Sequence, residues 1–141
     1  CRFGDPEAQP IMMRLQSDLV ELCQASLAGE LDKASIDFDS RASMGVVLAA
    51  GGYPADYAKG MPISGLDADS GSTTCKIFHA GTKSAGDDIV TNGGRVLCAT
   101  ALGESVTQAQ ANAYKLVEQI EWEAMYYRKD IGHRAVAREK S

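Results

Sequence analysis

The chain has 141 residues, 45% hydrophobic and 23% charged, with a formal net charge of −5. That length allows one domain with a sizeable core, or a small domain plus part of another, and the composition is that of an ordinary globular protein. There is no basic block and no apolar run near the roughly 20 residues of a bilayer span, which argues against nucleic-acid and membrane partners while leaving room for a local phosphate pocket.

Residues 1–10, CRFGDPEAQP, start with neither a methionine nor a leader-like segment, so the expectation is that something has been removed or that the chain is a piece of a longer protein. Gly4-Asp5-Pro6 is turn chemistry, with Asp5 placed to cap a helical turn; Pro10 disfavours helix at Gln9, so any such turn is short. Residues 11–31 read as a helix whose stripe is Met12, Leu15, Leu19, Leu22, Cys23 and Leu27. Ser17 is placed as an internal cap that restarts it, and Gly29 as its stop. Residues 32–43 are acid-rich, with Asp32, Asp37 and Asp39 at spacings that match no calcium loop, and read as a boundary or crossover. A central strand over 46–50 then ends in Gly51 and Gly52, either a tight turn or a place where backbone approaches a ligand. Residues 53–72 are loop-rich, with a short edge strand over 61–66.

A strand over 75–80 leads into Gly81-Thr82-Lys83 and a polar loop, 84–88. A short strand, the turn Asn92-Gly93-Gly94 and the apolar run after Arg95 follow; the run is apolar on both faces and reads as a doubly covered strand. Lys83 and Arg95 stand beside glycines, which suits either anion-binding turns or ordinary hairpins with solvated charges. The last long element starts near Glu104 as a helix with capping-box spacing from Ser105 to Gln108. Its stripe runs through Val106, Ala109, Ala113, Leu116, Val117, Ile120, Ala124 and Tyr127. Residues 128–134 form a basic turn before a return to helix. The fold class expected is α+β, a small, mostly antiparallel sheet packed with a long C-terminal helix. Cys1, Cys23, Cys75 and Cys98 form no CxxC pair, and with only His79 and His133 beside them they read as reduced cytosolic thiols, Cys23 and Cys98 buried, rather than a zinc site.

Several of these stretches, taken together and in order, resemble one family. RFGDPEAQ at 2–9, VVLAAGGYP at 46–54, FHAGTK at 78–83, VTNGGRVL at 90–97, ALG at 101–103 and RKDIG at 128–132 are similar to the C-terminal third of phosphoribosylamine–glycine ligases, members of the ATP-grasp superfamily. The resemblance implies residues 1–36 as the tail of an ATP-grasp domain and 37–141 as the C-terminal domain. It implies a cytoplasmic ligase of purine biosynthesis that joins glycine to 5-phosphoribosylamine through a glycyl phosphate, with ATP and Mg2+ or Mn2+. The metal ligands would precede Cys1, so no tightly bound cofactor and no activity is expected of these 141 residues alone, which would pack against the preceding lobes. It places Arg2 and Asp5 near the glycine and acyl-phosphate region. Lys83, Asn92, Gly93, Gly94 and Arg95 are the candidates for substrate or phosphate contact. Gly51 and Gly52, and then Arg128, Lys129 and Asp130, are weaker ones. The alternative is a non-catalytic packing or small-molecule-binding module.

Overall fold

In the computed structural model, which describes residues 4–141, the elements run α1 (Ala8–Arg14), α2 (Leu19–Ala28), a 3-10 turn (Leu31–Lys33), β1 (Ala42–Ala50), β2 (Cys75–His79), β3 (Thr82–Ala85), β4 (Asp88–Thr91), β5 (Arg95–Gly103), α3 (Val106–Val117), β6 (Met125–Tyr127) and α4 (His133–Glu139). β2, β5, β1 and β6 form one antiparallel sheet in that order, and β3 pairs with β4 in a separate two-stranded ribbon.

The core lies between this sheet and α3. Strand side chains alternate, so the register Met44↔Ala101, Val46↔Ala99 and Leu48↔Leu97 sends those residues to one face. Ala113, Leu116, Val117 and Ile120 close over that face. Ser105 caps α3 by accepting from the Gln108 amide at 3.1 Å, while Gln108 Oε1 accepts from Glu104 N at 2.9 Å. Thr107 donates from both its amide and its hydroxyl to Glu139, on α4.

The opposite face carries Gly45, Val47 and Cys98. A Cβ on Gly45 would stand 3.1 Å from Cys98 Sγ and 3.1 Å from Pro10 Cγ, so the missing side chain is what lets α1 rest on the sheet. Pro10 lies inside α1, not before it. It is the third helical residue, where the amide has no intrahelical partner, so the ring costs no hydrogen bond. Asp5 is not the cap; Glu7 occupies that position without a side-chain bond.

The single helix expected over 11–31 is two helices. Leu15 bridges to Phe38 and the Gln16 amide donates to Asp37 O at 2.9 Å, which interrupts the helical ladder. Asp18, not Ser17, caps the second helix, accepting from Val20 N at 2.7 Å and Glu21 N at 3.4 Å, while Ser17 Oγ accepts from Asp37 N. Gly29 ends α2 in the left-handed conformation, as its sequence position implies. α2 buries none of its stripe, and Cys23 is exposed, whereas Cys98 is buried and its thiol is pushed up by desolvation.

Three other expectations change. Residues 61–66 make two isolated bridges, Pro62↔Val90 and Ser64↔Glu121, rather than a strand. The polar loop after Lys83 contains strand β3, paired Lys83↔Val90 and Ser84↔Ile89. The helix after Ser105 ends at Val117; Ala124 has φ 60°, and 125–127 form the edge strand β6 against β1.

α4 buries no residue. Its polar attachment to α3 is the Glu139 carboxylate, which accepts from Val106 N at 2.7 Å, Thr107 N at 2.9 Å and Thr107 Oγ1 at 2.7 Å. These bonds satisfy free amides in the first turn of α3 and hold the Glu139 carboxyl below its ordinary value, with the Thr107 hydroxyl as the largest cause. A depressed folded pKa contributes stability above the unfolded value near 4.5 and loses it as pH falls through the folded one. Glu139→Gln is therefore expected to melt at a lower temperature than wild type at pH 7, with the gap closing toward pH 3. A gap that persists at pH 3 would mean the charge is not what the contact uses.

Candidate functional site

The start of β5 and the lead-in to α1 meet on the α1 side of the sheet. Asp5 Oδ2 lies 3.0 Å from Arg95 Nε, and Asp5 Oδ1 accepts from Gln9 Nε2 at 2.9 Å. Asp5 thus ties the turn at residues 5–7 to the first residue of β5 and aims the Arg95 guanidinium, which is 43% exposed. Arg2 lies outside the described residues.

Beside this pair is a cleft of about 320 Å³. Gly45, Val47 and Ala49 of β1 line it, as do Tyr53 and Tyr126, with Arg95 and Arg128 among its cations. The floor is apolar because these alternate β1 residues point away from α3. Tyr126 reaches it through its register opposite Ala49, and Tyr53 through Gly94: a Cβ on Gly94 would overlap the Tyr53 ring. Gly94 O also accepts from Ala50 N at 2.8 Å, which fixes the turn after β1 against the start of β5. At the mouth Arg128 holds Asp130 at 2.9 and 2.7 Å; the bond raises the pKa of Arg128 and lowers that of Asp130. An apolar floor, the rings of Tyr53, Tyr126 and Tyr127, and guanidinium groups suit a small molecule with a compact body and an anionic group.

The structure thus gathers Asp5, Gly94, Arg95 and Arg128 at one cleft. Gly51 sits at the end of β1, where a Cβ would stand 2.5 Å from Ala124 O, so close packing explains that glycine. Asn92 and Gly93 both donate their amides to Gly81 O, at 2.7 and 3.0 Å, so these two N–H groups serve the fold and do not form an anion cradle. Lys83 is exposed on the β3–β4 ribbon and does not line the cleft. Nothing local in the sequence marks Tyr53, Tyr126 or Tyr127 as lining residues; Tyr127 both packs against the core and borders the cleft. Among the described residues no group of three His, Cys, Asp or Glu side chains could hold a metal ion.

Comparison with known proteins gives a consistent picture. Residues 43–134 match the family model described as phosphoribosylglycinamide synthetase, C domain. The chain is 66% identical over 141 residues to a phosphoribosylamine–glycine ligase of Vibrio cholerae serotype O1, covering all of this chain and 33% of that protein. It is 60% identical to a ligase of the same name from Pseudomonas aeruginosa, covering 99% of this chain and 32% of that one. The crystal structure of phosphoribosylamine–glycine ligase from Thermotoga maritima superposes with a TM-score of 0.68 at 32% identity, covering 92% of this chain and 31% of that chain. The chain therefore spans about a third of the length of the relatives it matches.

Proposed function

Since this chain belongs to the phosphoribosylglycinamide synthetase C-domain family, we propose that it serves as the C-terminal third of an ATP-dependent ligase. That ligase would join glycine to 5-phosphoribosylamine through a glycyl phosphate, as a cytoplasmic step of purine biosynthesis. The observation that carries the reading is 66% identity along the whole chain to a protein of that name. ATP and Mg2+ or Mn2+ would be held elsewhere in the longer protein. Among the described residues there is no group of three His, Cys, Asp or Glu side chains to take a metal, and the Asn92 and Gly93 amides are already engaged.

What these residues would contribute is binding and orientation. Arg95, aimed by Asp5, would meet the 5-phosphate of the phosphoribosyl substrate, whose sugar would lie over Val47 and Ala49 between Tyr53 and Tyr126. Residues 1–36 would form the tail of the ATP-grasp domain. Consistent with that, Leu19, Val20, Leu27, Leu31, Ile36 and Phe38, on and after α2, are each exposed, which suits a segment that packs against preceding lobes.

The test is phosphate release by a full-length protein carrying this segment, with glycine and freshly made phosphoribosylamine. Arg95→Ala is expected to raise KM for phosphoribosylamine about tenfold or more, the value of a charge-assisted hydrogen bond, with a smaller change in kcat. The 141-residue chain alone is expected to show no turnover. An unchanged KM would remove Arg95 from the site, and turnover by the chain alone would overturn the division of labour.

A further inference from the structure

The C-terminal segment has a charge pattern that the rest of the chain does not share. Five of the fourteen Lys and Arg residues lie within 128–140, against two of the nineteen acids. One of those acids, Glu139, is turned away: its carboxylate is occupied by Val106 and Thr107 at the start of α3, so it does not neutralise neighbouring Arg138. The other, Asp130, is bonded to Arg128. Arg134 and Arg138 are four apart on α4, where like charges face each other and oppose the helix. No buried residue of α4 compensates for that, and Arg138 Nε donates to Arg134 O at 3.3 Å, which keeps the two arginines side by side.

Both arginines line a groove of about 470 Å³ together with Arg128, His133 and Asp130. His133 Nδ1 is held by Asp130 O at 2.7 Å, so its ring orientation is fixed as well. We propose that this groove between α4 and the 128–132 turn is a second anion site, one that takes the dianion of a phosphate group. Arg134 and Arg138 reach the groove from α4, while Arg128 on the facing turn is bonded to Asp130; two adjacent guanidinium groups are best bridged by an acceptor with three or more oxygens in a tetrahedral array, which a phosphate supplies and a single carboxylate does not. The groove is larger than inorganic phosphate, so a phosphorylated sugar also fits. The inference rests on the geometry of this segment and stands whether or not Arg95 meets a substrate phosphate.

The experiment is calorimetric titration of the 141-residue chain at low ionic strength with inorganic phosphate and, separately, ribose 5-phosphate. Saturable binding is expected, weakened about tenfold by Arg134→Ala and again by Arg138→Ala, since each removes one charge-assisted contact. Arg134→Lys should recover only part of the loss, because an ammonium lacks the fork. Lys33→Ala, which removes an exposed charge elsewhere, should leave the titration unchanged. Alanine favours helix, and a thermal melt of each variant checks that α4 stays folded. Tighter binding of ribose 5-phosphate than of phosphate assigns the groove to a sugar phosphate; equal binding assigns it to the free ion. No saturable binding, or binding indifferent to both arginine variants, overturns the proposal.

Discussion

Replacing Leu97 by alanine is expected to lower the unfolding free energy by about 2–5 kcal/mol, the range for truncating a buried leucine to alanine. Leu97 is 1% exposed and sits in the second-from-edge strand of the sheet, opposite Leu48 on one side and His79 on the other. Both Leu97 and Leu48 belong to the cluster that Leu116 and Val117 close, so the cavity left behind would be walled by strands on two sides and a helix above. Such a site collapses poorly, which favours the upper half of the range. Val47→Ala, one residue along β1 but on the cleft side, should cost only about 1 kcal/mol, because its side chain is partly exposed in the cleft. Urea melts of the two variants would check the contrast. Equal losses would mean that the two faces of β1 are not as different as its burial pattern implies.

Gly81→Ala is expected to cost about 3 kcal/mol, at the top of the usual range for overpacking. A Cβ there would lie 2.6 Å from Arg95 O and 2.6 Å from Gly93 Cα, both main-chain atoms that cannot swing aside. The same residue donates to Arg95 O at 2.9 Å and accepts from Asn92 and Gly93, so the substitution would push apart the crossing where the four-stranded sheet meets the β3–β4 ribbon. Gly86→Ala is the reference: that position is open, and only its φ of 66° opposes a side chain, at about 1–2 kcal/mol. If the two variants melted together, the close approach of Gly81 to the start of β5 would be wrong.

What the sequence shows and what it hides follow from the range of the interactions. β5 is legible because eight successive residues after Arg95 are buried, and α3 because its cap and its stripe are both local. The break between α1 and α2 is not, since the apolar spacing continues through Leu15 and the interruption comes from residues 37–38, some twenty positions away. β6 hides in the same way. Ile120, Ala124 and Tyr127 keep helical spacing, yet Tyr126 and Tyr127 are claimed by Ala49 and Leu48 of β1. β3 has no apolar alternation of its own and is supported by its pairing with β4 alone. Within the site, the glycines at 93 and 94 announce a turn, but nothing local reveals that Gly81 takes the amides of Asn92 and Gly93 or that Asp5 reaches Arg95. The resemblance to a known family orders these motifs along the chain without saying which of them touch.

The pairing of Leu15 with Phe38 has a consequence for how this chain tolerates change. Gln16 N–Asp37 O at 2.9 Å, Asp37 N–Ser17 Oγ at 2.8 Å and Asp39 N–Arg14 O at 2.7 Å close a neck, and α2 with its 3-10 turn forms an excursion hanging from it. The entropy of closing such an excursion grows only as the logarithm of its length, about 0.6 kcal/mol per doubling. Residues inserted near Gly29, where the chain is exposed and a Cβ would meet nothing, therefore leave the register of the sheet untouched. An insertion there changes the size of the excursion alone, while the neck sets where the sheet begins.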